Sequence, residues 1–196
     1  MIPFNRLGLP FKLFSRFVYP KKVLWDISNL VKELMPESYV LDVGSGTGVL
    51  IEFAHTVRDD LKYVSLDQAY GMIQYAPQYA LKTVGVAESL PLKSIFNLVL
   101  MGDTIHHIDD PDTVLAEIKN CMKPNGCLFI FDINPDTLIG GIVCRMERFF
   151  KEPATFYSPE VLSDMLEQYG FRTNVNRYDF RYSVIGRMSQ GTSNDR

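Results

Sequence analysis

Val40-Leu41-Asp42-Val43-Gly44-Ser45-Gly46-Thr47-Gly48 decides how this chain is read. Apolar and β-branched residues run as a buried strand into a turn of alternate glycines, and helical spacing follows from 47. With no Cβ at 44, 46 and 48, a ligand can approach the backbone closely, outside the carboxyl end of a parallel strand. A dinucleotide fingerprint, G-x-G-x-x-G counted from Gly44, requires glycine at 49, where this chain has Val49. A triphosphate loop requires Lys and then Ser or Thr behind the glycines, and no such pair closes this run.

Working outward, Val64-Ser65-Leu66-Asp67 places an acid at the end of a second strand. A carboxylate there can accept hydrogen bonds from both hydroxyls of a ribose lying across the sheet crevice. Asp42 puts another negative charge beside the glycine turn, where it repels pyrophosphate and attracts a cationic or amino group. The site is expected to take a nucleoside that carries no pyrophosphate.

From residue 39 onward, short β-rich apolar runs alternate with longer helical segments, as when helices cover both faces of a parallel sheet. Strands are predicted at 39–43, 62–67, 82–86, 95–101 and 126–133, with a final pair at 171–179 and 181–188. Helices are predicted at 22–35, 47–57, 70–80, 111–122 and 159–169. Asp110-Pro111 and Ser158-Pro159 open the last two as cap and first-turn proline. Residues 134–157, with Pro135, Gly140, Gly141 and Pro153, read as an inserted loop and helix. The expected fold is α/β: a Rossmann-like sheet of seven strands, mostly parallel with an antiparallel terminal strand, in one domain spanning 1–196.

The length of 196 residues, with 46% hydrophobic and 22% charged, suits one domain with a sizeable core. A net charge of −3 gives no global attraction to nucleic acid, and none is expected as a partner. Residues 1–22 carry five basic residues and no acid, which leaves fifteen bases against twenty-three acids in the rest. Cys121, Cys127 and Cys144 form no C-x-x-C pair and fit a reduced, cytoplasmic compartment. No uncharged run approaches the roughly 18 residues needed to cross a bilayer.

Residues 40–48 resemble the first motif of class I S-adenosylmethionine-dependent methyltransferases, and further stretches follow in that family's order. Asp67, Gln68 and Met72 resemble its ribose acid and adenine-packing methionine. Ala87-Glu88-Ser89-Leu90-Pro91 resembles the third motif, Met101 to Pro111 the fourth, and Met122 to Gly126 the turn before the fifth strand. The general style is similar to the small-molecule branch that includes ubiquinone and menaquinone biosynthesis methyltransferases. Two positions depart from the pattern: Val86 and Asn97 stand where many relatives have Asp. The resemblance implies S-adenosylmethionine as cofactor and S-adenosylhomocysteine as product. It implies Asp42, Gly44, Ser45, Gly46, Gly48, Asp67, Gln68, Met72, Ala87, Glu88, Met101 and Gly102 as cofactor-binding residues.

Methyl transfer asks the protein to align a nucleophile and exclude water; a base is needed only where the acceptor must lose a proton. His106 and His107 follow the fourth strand and are the candidate catalytic residues, with His106 preferred. No metal is expected, since the nearby Asp103, Asp109, Asp110 and Asp112 suit caps and turns. The expected reaction moves a methyl group to O, C or N of a small apolar or aromatic molecule. The alternatives are an NAD-dependent oxidoreductase and a catalytically silent adaptor.

Phe11, Leu13, Phe14, Phe17 and Val18, interspersed with Lys12 and Arg16, make residues 1–21 a candidate lid, peripheral membrane contact or scaffold element. Met146, Phe149 and Phe150, beside Arg145, Arg148 and Lys151, give the 134–157 insert the same apolar-basic character. Both are expected to shape the substrate side. The sequence assigns no oligomeric state.

Overall fold

The computed structural model describes residue 12 and residues 19–90, 94–149 and 154–188, the side chains of 147 and 148 excepted. Seven strands form one sheet: β1 (Tyr39–Val43), β2 (Lys62–Asp67), β3 (Leu81–Val84), β4 (Phe96–Gly102), β5 (Met122–Ile133), β6 (Phe171–Tyr178) and β7 (Arg181–Met188). Their order is β3-β2-β1-β4-β5-β7-β6. The first five are parallel, and β7 runs antiparallel between β5 and β6. The helices are α1 (Lys21–Lys32), α2 (Val49–Val57), α3 (Tyr70–Ile73), α4 (Pro111–Cys121), α5 (Leu138–Phe149) and α6 (Pro159–Gln168), with a 3₁₀ turn at Ile105–His107.

The near-continuous apolar strands follow from burial on both faces. Leu41, Val43, Val99, Leu128 and Ile130 enter one core with Ile118 and Leu162. Val40, Leu98, Leu100, Phe129 and Phe131 enter the other with Ile27 and Ile51. Successive strand residues therefore alternate between two cores, not between core and water. Chain order reverses at β1, flanked by β2 and β4, and such a switch point opens a crevice beyond the carboxyl ends of the strands.

Three predicted elements differ in extent. The helix expected over 70–80 is confined to Tyr70–Ile73 and continues as i to i−3 turns through Ala76, because Pro77 cannot donate to a further helical bond. The strand expected at 126–133 begins at Met122, which pairs with Phe96 before the register jumps to Leu98 opposite Cys127. Asn125, at φ +64, takes up that bulge. The strand expected at 82–86 spans Leu81–Val84. Asn97 sits at a second irregularity, where its side-chain oxygen accepts the Tyr39 N–H at 3.3 Å. An amide suits that job as well as an acid.

Most of the 1–21 segment, with the membrane contact expected of it, lies outside the described residues. Within them, the Lys12 ammonium pairs with Glu52 of α2 and donates to the Thr47 carbonyl at 3.2 Å. No helix among the described residues is long and apolar enough to cross a membrane. All three cysteines are buried thiols, and burial pushes Cys121 and Cys127 up to about 12.

Candidate functional site

The glycine turn closes the β1 end of the crevice. Gly44 has φ +66, and a Cβ there would lie 2.3 Å from the Thr104 side chain; Gly48, at φ +78, would place one 2.6 Å from Pro77. Neither position admits another residue without moving β4's loop or the turn behind α3. The Ser45 N–H donates to the Leu66 carbonyl at 3.0 Å. The Gly46 N–H donates to Asp67 Oδ2 at 2.7 Å, while the Ala69 N–H donates to Oδ1 at 2.7 Å. Asp67 thus ties the β1 turn to the β2 end and keeps lone pairs for further donors. Burial raises its carboxyl, and those two amides pull it back down.

Asp42 is buried at the β1 end, and its Oδ2 has no partner; Ser45 Oγ and Thr47 Oγ1 are likewise buried without one. Burial, reinforced by the Asp67 charge, pushes the Asp42 carboxyl well above the ordinary range. An orphaned carboxyl, two orphaned hydroxyls and an open glycine backbone suit a ligand bearing cationic and hydroxyl groups better than a pyrophosphate. S-adenosylmethionine, with its sulfonium, ammonium and ribose, fits that donor set.

The other sequence-derived residues gather around this turn to differing degrees. Met72 is buried, and its Cε comes within 3.5 Å of where a Gly46 Cβ would stand. Gln68 is exposed beside Asp67. The Gly85 N–H bonds to the Asp67 carbonyl at 3.2 Å, which brings the following Ala87-Glu88 turn toward the β2 end. Ala87 packs on the core and Glu88 is exposed. Gly102 lies in the crevice, where a Cβ would sit 2.8 Å from the Tyr19 hydroxyl and 2.9 Å from Leu50. Met101 is wholly buried in the core, so its backbone is what it offers the crevice.

His106 and His107 lie on the 3₁₀ turn after β4, which reads differently from the α-helical spacing that would turn one ring away. The two rings are joined: His106 Nε2 is 3.0 Å from His107 Nε2. On its other side, His106 Nδ1 is 2.7 Å from Asp132 Oδ1, and both side chains are 2% exposed. Phe156 stacks on the His106 ring with centroids 4.5 Å apart. The Thr155 N–H donates to the His106 carbonyl at 2.7 Å, tying the chain before α6 to the turn. The Ile133 N–H holds Asp132 Oδ1 at 2.7 Å.

Sequence reasoning missed Asp132, although it ends an apolar strand just as Asp67 does, and that signal would have found it. It also missed Tyr19, Thr104 and Arg181. Thr104 Oγ1 donates to the Gly102 carbonyl at 3.0 Å and lies 3.3 Å from the Gly44 carbonyl, bridging β4 and β1. Tyr19 stands against Phe131 at 5.5 Å between ring centroids. Burial, with the charges of Asp42 and Asp132, holds its hydroxyl well above the ordinary phenol range, against the pull of Arg181. Arg181 pairs with Asp103, a non-glycine residue at φ +52, and lies 4.2 Å over the Phe131 ring. Burial draws its guanidinium down to about 10, still cationic at neutrality. The pattern of a terminal hairpin strand carries no sign that its first residue reaches this crevice.

Comparison with known proteins agrees with this geometry. Residues 19–175 match the family model described as a methyltransferase domain. Over 111 residues the chain is 30% identical to the ubiquinone biosynthesis O-methyltransferase of Yersinia pestis (strain Pestoides F), covering 52% of this chain and 45% of that protein. The chain thus spans about half the length of the curated relatives it matches. A solved S-adenosylmethionine-dependent methyltransferase from Thermotoga maritima, a possible histamine N-methyltransferase, superimposes with TM-score 0.73 at 23% identity, over 95% of this chain and 98% of that one. Phosphoethanolamine N-methyltransferase 2 of Haemonchus contortus, solved with S-adenosylhomocysteine, gives 0.71 at 15% identity over 85% and 52%. The strand order, the glycine turn and the span of the family match together place the chain in the methyltransferase-domain family, with the fold of S-adenosylmethionine-dependent methyltransferases.

Proposed function

We propose that this protein transfers a methyl group from S-adenosylmethionine to the hydroxyl oxygen of a small aromatic molecule, with His107, His106 and Asp132 accepting the hydroxyl proton. The supporting observation is the buried Asp132–His106–His107 chain at the crevice ends of β4 and β5. When bound, the cofactor supplies a methyl group on an electrophilic sulfonium. The glycine turn, Asp42 and Asp67 are assigned to its amino-acid and ribose portions. Met72, the Ala87-Glu88 turn, Gln68 and the Met101-Gly102 backbone are assigned to its remaining contacts.

Hydrogen-bond logic fixes the proton positions. An ionised Asp132 only accepts, so His106 Nδ1 carries the proton and Nε2 a lone pair. His107 Nε2–H then donates to that lone pair, which makes Nδ1 of His107 the basic ring nitrogen. A proton taken at His107 Nδ1 can be matched by transfer from His107 Nε2 to His106 Nε2, leaving the positive charge beside Asp132. Asp132 thereby orients the inner ring and stabilises the imidazolium. The outer histidine, not the inner one preferred from sequence, meets the acceptor. The curated relatives' O-methyltransferase naming and the apolar walls around Phe156 and Tyr19 favour an aromatic acceptor. Lys12 and Tyr19, anchored at the ends of the cofactor crevice, favour a lid role for the N-terminal segment.

Methyl transfer to a panel of phenols and catechols, with amines and activated ring carbons as controls, tests the reading. His107→Ala and His106→Ala are expected to lower turnover about a hundredfold while leaving S-adenosylhomocysteine affinity unchanged. Asp132→Asn is expected to lose activity at neutral pH and regain part of it in alkali, where the acceptor ionises by itself. Transfer only to nitrogen or carbon, or flat pH profiles equal to the unsubstituted protein in all three variants, would overturn the proton-relay role.

A further inference from the structure

Helix α5 is built inside out. Facing the protein it presents small residues: Gly140 is buried so tightly that a Cβ would meet the Asn134 carbonyl at 1.9 Å, and Cys144 is buried one turn on. Facing outward it presents bulk: Leu138 is 83% exposed, Ile139 54%, Ile142 47% and Met146 55%. Leu138, Ile142 and Met146 follow i, i+4, i+8 spacing, so these side chains form one stripe along the helix. A helix serving only to cover the sheet would turn such residues inward. Scattered exposed leucines are ordinary, but a contiguous stripe marks a surface that meets something apolar.

Charge selects the occupant. Residues 138–151 carry Arg145, Arg148 and Lys151 against the single acid Glu147, inside a chain whose net charge is −3. Exposed Arg145 lies on the same outward side as Met146. Two copies of this face would set cations against cations, and residues 1–22, with five bases and no acid, would repel it equally. A convex helix with bulky apolar residues and flanking cations suits a planar interface with anionic headgroups, into which one helix can sink its apolar side without a matching groove. We infer that α5 is a membrane-interface helix that seats the protein on anionic bilayers. The helix begins six residues after Asp132, so docking would turn the β5 end of the crevice toward the lipid. The inference does not depend on methyl transfer.

Co-sedimentation of the full chain with vesicles of phosphatidylcholine, with and without phosphatidylglycerol, tests it. The protein is expected to sediment with the phosphatidylglycerol vesicles and to be released by salt. The double substitution Ile142→Ser, Met146→Ser and the single substitution Arg145→Glu are each expected to weaken binding about tenfold. Because these side chains are exposed, both variants should keep the melting temperature of the unsubstituted protein, which is measured alongside. Absence of vesicle binding would overturn the inference, as would equal binding by the double variant. So would a dimer in analytical ultracentrifugation that the double substitution dissolves, since that would make α5 a contact between copies.

Discussion

Asp42 shows most plainly what single residues do in this crevice. A carboxyl buried without a partner for one oxygen holds its proton longer in the folded protein than in the unfolded chain. The native state then binds more protons than the unfolded one, so stability falls as pH rises from the ordinary carboxylate range through the raised native value. Urea unfolding across that window should show this decline in the ligand-free protein, and Asp42→Asn should flatten it; a decline that persists in the variant would locate the effect elsewhere. The same substitution is expected to weaken S-adenosylmethionine binding, since it removes the charge facing a cationic ligand. Asp42, Gly44 and Asp67 were legible because strand ends announce themselves in sequence. Tyr19 and Arg181 were not, because each reaches the crevice through tertiary packing from a segment whose local pattern says nothing of it.

Elements carry their own signals, and these read well where caps and periodicity agree. Ser158 accepts the Val161 N–H at 3.3 Å, and Pro159 occupies the first turn of α6, as the sequence predicted. Ser158→Ala should destabilise the fold by about 1 kcal/mol in chemical denaturation. An unchanged midpoint would mean that water replaces the hydroxyl there. Where the reading overreached, as in the helix expected over 70–80, a proline in the pattern was the overlooked stop. The 3₁₀ turn at Ile105–His107 was beyond reach for another reason. Three residues are too few to show periodicity, and the turn's geometry is what lets both imidazoles lie in one chain with Asp132. For α5, composition announced an apolar and basic segment but not which face would turn outward. That depended on Gly140 fitting against Asn134.

At the scale of the whole molecule, the order reversal at β1 gathers the decisive groups at one edge: Asp42 from β1, Asp67 from β2, Gly102 from β4 and Asp132 from β5. The sheet was readable from sequence because both faces are covered, which makes each strand a nearly continuous apolar run. The central claim is that this edge holds an adenosyl ligand through the glycine turn and Asp67. Titration calorimetry of S-adenosylhomocysteine into the intact chain and into Asp67→Ala tests it most directly. One ligand should bind per chain, with affinity reduced about tenfold or more in the variant, the loss expected for hydrogen bonds to a charged group. No binding to the intact chain, or equal affinity in the two proteins, would contradict it.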